Sequence, residues 1–105
     1  MIPNKTVFIT GASRGIGRAI AIRFAAAGYQ LALCCRQNTQ LLEDLQQLII
    51  SQYHTDCLIF TGDTGDYHQL EAMISETIAR FHHIDVLVNN AGISYIGLLT
   101  DMSPD

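Results

Sequence analysis

The sequence predicts an α/β fold, a doubly wound parallel sheet of four strands in spatial order 3-2-1-4 with three helices. Three observations carry this. Short apolar runs alternate with longer runs of helical periodicity through the 105 residues. The short runs are hydrophobic on both faces, as strands covered by helices on both sides must be. The first of them, Val7 to Thr10, leads directly into a glycine-rich turn, Gly11 to Gly17, and then into an Ala/Ile-rich amphipathic run.

Thr6 to Thr10 is the first strand. Its turn has three glycines spaced four and then two apart: Gly11 lets the chain leave the strand sharply, Gly15 lets a ligand approach the backbone, and Gly17 lets the helix pack closely on the sheet. The first helix is expected from about Arg14 or Gly15 to Ala27, burying Ile16, Ile20, Phe24 and Ala27 as one stripe, with Gly28 ending it. Gln30 to Cys35 is the second strand, whose alternation divides Cys34 and Cys35 between the two faces of the sheet. Thr39 is expected to cap the second helix, which runs to about Gln52 with Leu41, Leu42, Leu45, Leu48 and Ile49 at helical spacing. Asp56 to Thr61 is the third strand and Gly62 to Asp66 its loop. The third helix spans about Tyr67 to Phe81, with Leu70, Met73, Ile74, Ile78 and Phe81 on one face, and Ile84 to Asn89 is the fourth strand.

Right-handed crossovers put helices one and two on one face of the sheet and helix three alone on the other. Strand four, with Val86, Leu87 and Val88, is then expected as an open apolar edge, a feature that favours association. Ser103-Pro104-Asp105 has the composition of a helix start with no helix behind it, which predicts that the chain, one domain over residues 1–105, is the N-terminal part of a longer one.

Composition narrows the partners. Five basic residues and no acid fall in residues 1–36, whereas Arg80 alone stands against all ten acids in the remainder, for a net charge of −4. Arginines gathered around a turn, in an acidic chain, suit a small phosphorylated ligand and not nucleic acid, which needs a broad basic face. No apolar run reaches the roughly 20 residues of a membrane span and the N-terminus has no signal-peptide character, so no membrane partner and a cytoplasmic location are expected. Three cysteines without C-x-x-C spacing read as reduced, buried thiols. The four histidines lack ligand spacing, and no metal site is expected.

The order 3-2-1-4 puts the glycine turn beside the loop after strand four, at the switch point where Rossmann-type sheets bind nucleotides. A phosphate there meets the unpaired N–H groups of the first helical turn. The strand-two end settles which nucleotide. An acid at that point binds a ribose 2′-hydroxyl and an arginine receives a 2′-phosphate; here the residues are Cys35, Arg36 and Gln37, with Glu43 the nearest acid downstream. Arg14 adds a second positive charge before Gly15. The expected cofactor is NADP(H) in preference to NAD(H).

Thr10 to Gly17 resembles the T-G-x-x-x-G-x-G fingerprint of the short-chain dehydrogenase/reductase family, and Asn89-Asn90-Ala91-Gly92 resembles that family's N-N-A-G motif. Asp63 falls between them where the family carries an acidic or amide residue. Arginine after strand two, with T-G-A-S-R-G-I-G, looks most similar to the 3-oxoacyl-[acyl-carrier-protein] reductase branch. The resemblance implies that Gly11, Ala12, Ser13, Arg14, Gly15, Ile16 and Gly17 form the cofactor turn, that Asp63 accepts from the adenine amino group while Thr64 offers its backbone, and that Asn90, Ala91 and Gly92 line the ribose and nicotinamide path. It implies hydride transfer to or from a carbonyl or alcohol substrate, and for the full-length form a homo-oligomer.

The family's catalytic Ser, Tyr and Lys find no counterparts. Position i+4 from Tyr29, Tyr53, Tyr67 and Tyr95 is Leu33, Cys57, Glu71 and Leu99, and Lys5 is the sole lysine. The 105 residues therefore read as a cofactor-binding part that is inactive alone; the alternative is a nucleotide-binding or regulatory module without catalysis. Gly11 to Gly15 also fits G-x-S-x-G, the nucleophile elbow of serine hydrolases, but ten preceding residues leave no room for the oxyanion loop that fold requires.

Overall fold

The computed structural model describes residues 5–90 and the backbone of residues 95–98. β1 (Thr6–Thr10), α1 (Gly15–Ala26), β2 (Gln30–Cys35), α2 (Thr39–Tyr53), β3 (Cys57–Thr61), α3 (Tyr67–Phe81), β4 (Val86–Asn89) and β5 (Tyr95–Leu98) follow in chain order. The sheet order is β3-β2-β1-β4-β5. β1 pairs in parallel with β2 on one side and β4 on the other, and β2 with β3, so the 3-2-1-4 core is the expected one.

Each face has its own core. Val7, Ile9, Leu31 and Leu33 point to the face covered by α1 and α2, where they meet Ala21, Ala25, Leu42, Leu45 and Ile49. Phe8, Ala32 and Cys34 point to the other face, against Met73 of α3 and Ile84, with Leu70, Ile74 and Ile78 packed alongside. Cys35 belongs to the first core and Cys34 to the second, as strand alternation requires. Burial pushes the thiols of Cys34 and Cys57 up to about 12, with neighbouring Cys35 and Asp56 charges adding to the effect.

Three expectations are corrected. The edge of β4 is not open: β5 pairs with it antiparallel, Val86 opposite Leu98 and Asn89 opposite Tyr95, so a fifth strand takes up the free N–H and C=O groups of that edge. The buried stripe of α1 is Gly17, Ala21 and Ala25, not Ile16 and Ala27, and Ile16 is 69% exposed. α1 lies so near the sheet that only small side chains fit beneath it, and Ile20 and Phe24 pack along the flanks. Asn38, not Thr39, is the residue before α2, and neither caps it with a side chain; the Thr39 hydroxyl instead meets Thr61 Oγ1 at 2.9 Å, tying the start of α2 to the end of β3. Gly28, with φ +90°, closes α1 as expected.

Below the sheet, the Asp85 carboxylate accepts from the Thr6 N–H at 2.8 Å and lies 2.7 Å from His83 Nδ1. These contacts anchor the start of β1 to the segment that enters β4. Both strands are thereby held in register with their carboxyl ends level.

Candidate functional site

Those carboxyl ends carry every described residue of the predicted site. β1 delivers the glycine turn. Gly11 and Gly15 adopt φ +62° and +63°, a region that costs a residue with a Cβ roughly 1–2 kcal/mol. A Cβ on Gly17 would lie 2.0 Å from the Gly11 carbonyl oxygen and 2.8 Å from Asn90 Nδ2, so the helix start sits directly on the turn. A Cβ on Gly15 would meet nothing within 4 Å. One glycine is required by the fold, and the other faces open space where a ligand's phosphates can reach the backbone.

α1 begins at that opening with no side-chain cap on its first N–H groups and no acid in its first turn. The positive end of the helix dipole is left for an anion. Arg14, the residue before the helix, and Ile16 are exposed beside Gly15, whereas Ala12 and Ser13 are buried. The Ala12 N–H donates to the Cys34 carbonyl at 3.1 Å, so Ala12 shapes the turn from beneath rather than presenting a donor.

β4 brings the second motif against the first. The Thr10 hydroxyl donates to Asn89 Oδ1 at 2.9 Å and accepts from the Asn90 N–H at 2.9 Å, and Asn90 Nδ2 donates to the Gly11 carbonyl at 3.2 Å. Two adjacent amides at a strand end thus find partners across nearly 80 residues of sequence, |i−j| = 79 and 80. Their role is to brace the turn. Ala91 and Gly92 lie outside the described residues.

The third component is the pair of loops after β2 and β3. Gly62 N–H donates to the Cys35 carbonyl at 2.9 Å, which brings the start of the β3 loop to the base of Arg36. Arg36 Nη2 stands 3.9 Å from Asp63 Oδ2, with the two side chains 75% and 44% exposed. So loose and exposed a pair contributes little to stability and leaves the guanidinium open to a stronger anion. Asp63 Oδ1 accepts from the Gly65 N–H at 2.8 Å, an Asx turn that orients the carboxylate. Thr64 lines a cavity of about 100 Å³ with Thr10, Leu70, Ile74, Leu87 and Asn89, against the α3 face.

Sequence reasoning missed Gln69, on the first turn of α3. Its Oε1 accepts from the Asp63 N–H at 2.8 Å, and its Nε2 lies 3.4 Å from Asp66 Oδ2. The signal was present as D-x-x-Q, a capping pattern with Asp66 at the N-cap, where the Asp66 side chain accepts from the N–H groups of His68 and Gln69. Among the described residues no three His, Cys, Asp or Glu side chains gather as a metal site, and no helix is long and apolar enough to cross a membrane.

The family profile described as short chain dehydrogenase matches residues 5–105. The chain belongs to the short-chain dehydrogenase family. Among its relatives, the cattle (Bos taurus) dehydrogenase/reductase SDR family member 7B is 44% identical over 110 aligned positions, which take in 99% of this chain and 33% of the relative. The 3-oxoacyl-[acyl-carrier-protein] reductase FabG of Staphylococcus aureus is 38% identical over 99 positions, 94% of this chain and 40% of that enzyme. An alcohol dehydrogenase of the archaeon Thermococcus sibiricus, solved with 5-hydroxy-NADP, superposes with a TM-score of 0.79 at 34% identity, over 95% of this chain and 42% of its own. The chain therefore spans about a third to two fifths of the length of these short-chain dehydrogenases, and its sheet is the fold in which one of them holds an NADP derivative.

Proposed function

We propose that this chain is the cofactor-binding part of an NADP(H)-dependent short-chain oxidoreductase, in which hydride passes between the nicotinamide and a carbonyl or alcohol substrate. One observation carries the reading: the turn of β1 and the amides of β4 are hydrogen-bonded into a single cradle, with Gly15 open above it and Arg36 exposed at its rim. In this reading the Gly11–Gly17 turn takes the pyrophosphate, Arg14 and Arg36 take the 2′-phosphate, the Asp63–Thr64 loop takes the adenine, and Asn90 with Ala91 and Gly92 follows the ribose toward the nicotinamide. The cofactor supplies the hydride chemistry; this chain's residues bind and orient it.

The relatives' names place an acyl-carrier-protein reductase among the similar enzymes, and a 3-oxoacyl thioester is the substrate we favour for the full-length form, which we expect to be a cytoplasmic homo-oligomer. With one lysine and no Tyr-x-x-x-Lys in its 105 residues, the chain is proposed to bind cofactor without turning over substrate by itself. Titration with NADPH and NADH tests the reading. A charge-assisted contact to phosphate is worth about 1.5–3 kcal/mol, so NADPH should bind on the order of ten- to a hundred-fold more tightly, and Arg36→Asp should reverse the preference. Equal affinities that the substitution leaves unchanged would remove the 2′-phosphate assignment.

A further inference from the structure

The loop after β3 is half-buried apart from Gly65, and its backbone is held at almost every donor. Gly62 N–H goes to Cys35 O, Gly65 N–H to Asp63 Oδ1, and Asp66 N–H to Asp63 O at 3.0 Å. The Asp63 N–H is the one held by a side chain from outside the loop, Gln69 Oε1 at 2.8 Å. The Thr64 N–H meets no acceptor among the described residues.

The Gln69 amide lies over Gly62 on its way to Asp63: a Cβ on Gly62 would stand 2.7 Å from Gln69 Oε1. Its other end is steadied by Asp66, whose carboxylate accepts from the Gln69 N–H at 3.3 Å and faces Nε2 at 3.4 Å. The glutamine is thus fixed to the rigid first turn of α3 at one end and to the Asp63 N–H at the other. That bond restrains rotation about the Asp63 N–Cα axis, and with it the direction of the Asp63 carboxylate and of the next peptide, which carries the unclaimed Thr64 N–H.

We propose that Gln69 is the positioning residue for base recognition: through the Asp63 N–H it aims the Asp63 carboxylate and the Thr64 N–H as an acceptor–donor pair matching the 6-amino group and ring nitrogen of adenine. The proposal rests on the cofactor reading above and adds to it a residue that touches no cofactor atom. The Gly65 N–H ties the carboxylate to its own loop; loss of Gln69 frees the backbone of that loop at Asp63, so the carboxylate and the Thr64 N–H turn together and meet the base only part of the time.

The test compares NADPH with its hypoxanthine analogue, which carries a carbonyl in place of the amino group, on the parental chain and on Gln69→Leu. Gln69 is exposed, and leucine keeps its bulk without the acceptor. The parental chain is expected to prefer NADPH about five- to ten-fold, and Gln69→Leu to bring that ratio to within two-fold of unity by weakening NADPH. A purely structural role would weaken both ligands alike and leave the ratio intact, which overturns the proposal while the cofactor reading stands. A parental chain that binds NADPH but does not distinguish the bases also overturns it. A parental chain that binds neither ligand overturns both.

Discussion

Replacing Gly17 with alanine is the sharpest stability test of how the cradle is built. The added Cβ would sit 2.0 Å from the Gly11 carbonyl oxygen, 2.9 Å from its carbon and 2.8 Å from Asn90 Nδ2, and two of those three atoms are backbone that cannot rotate away. Relief requires α1 to move off the turn by about 1.4 Å or more, the gap between that separation and an ordinary contact of 3.4 Å. Overpacking of this kind costs roughly 1–3 kcal/mol, and displacing Asn90 from the Gly11 carbonyl removes a hydrogen bond worth about 0.5–1.5 kcal/mol. Alanine's helix propensity returns up to about 1 kcal/mol. The net expectation is a loss of about 2 kcal/mol, which for a domain of this size lowers the melting temperature by roughly 8–16 °C. Thermal and urea unfolding followed by circular dichroism read this directly. A Gly17→Ala chain that melts at or above the parental temperature would show that α1 does not sit on the turn, and the close-approach account would fall.

Two further outcomes follow from the same structure. Cys34 and Cys57 keep their protons in the folded chain up to about pH 12 but lose them near pH 9.0 when unfolded; their contribution is full below pH 9 and is lost as pH rises from there, by up to about 1.4 kcal/mol per pH unit for each thiol. Urea midpoints at pH 8, 9 and 10 should fall accordingly, with a shallower fall in Cys34→Ala, and midpoints independent of pH would refute the burial of these thiols. On the proposed reading the 105-residue chain should reduce no ketone above background, since its sequence holds no Tyr-x-x-x-Lys to protonate the developing alkoxide; ketone-dependent oxidation of NADPH in a preparation free of longer forms would contradict this.

The parts of the fold written in hydrophobic period were legible in the sequence. β1, β2 and α3 have the bounds that alternation and helical spacing give them, and the two motifs converge because strand order follows from crossover handedness. The buried side of α1 was misread for a physical reason. Hydrophobicity favours Ile16 as a core residue, but the separation between helix and sheet favours Gly17, Ala21 and Ala25, and that separation is a tertiary quantity. Thr39 ranks as a capping residue by type, yet its hydroxyl is drawn to Thr61, 22 residues away. β5 was hidden because Tyr95-Ile96-Gly97-Leu98 is short and follows a glycine motif, so its pairing depends on the unfilled edge of β4 rather than on its own pattern. Gln69 carries a capping signature, but nothing in the sequence says that its oxygen turns back to Asp63.

The central claim is that two motifs about 75 residues apart form one cofactor cradle with Arg36 at its rim. Amide chemical-shift mapping of the isotopically labelled chain during NADPH titration tests it most directly. The account predicts saturable shifts confined to residues 11–17, 36–37, 62–66 and 89–92, with Gly15 and Ile16 among the largest, and smaller shifts at Arg36 with NADH. No shifts on adding NADPH, or shifts gathered instead along the outer edge of β3 and α3 around Phe60 and Ala72, would contradict it.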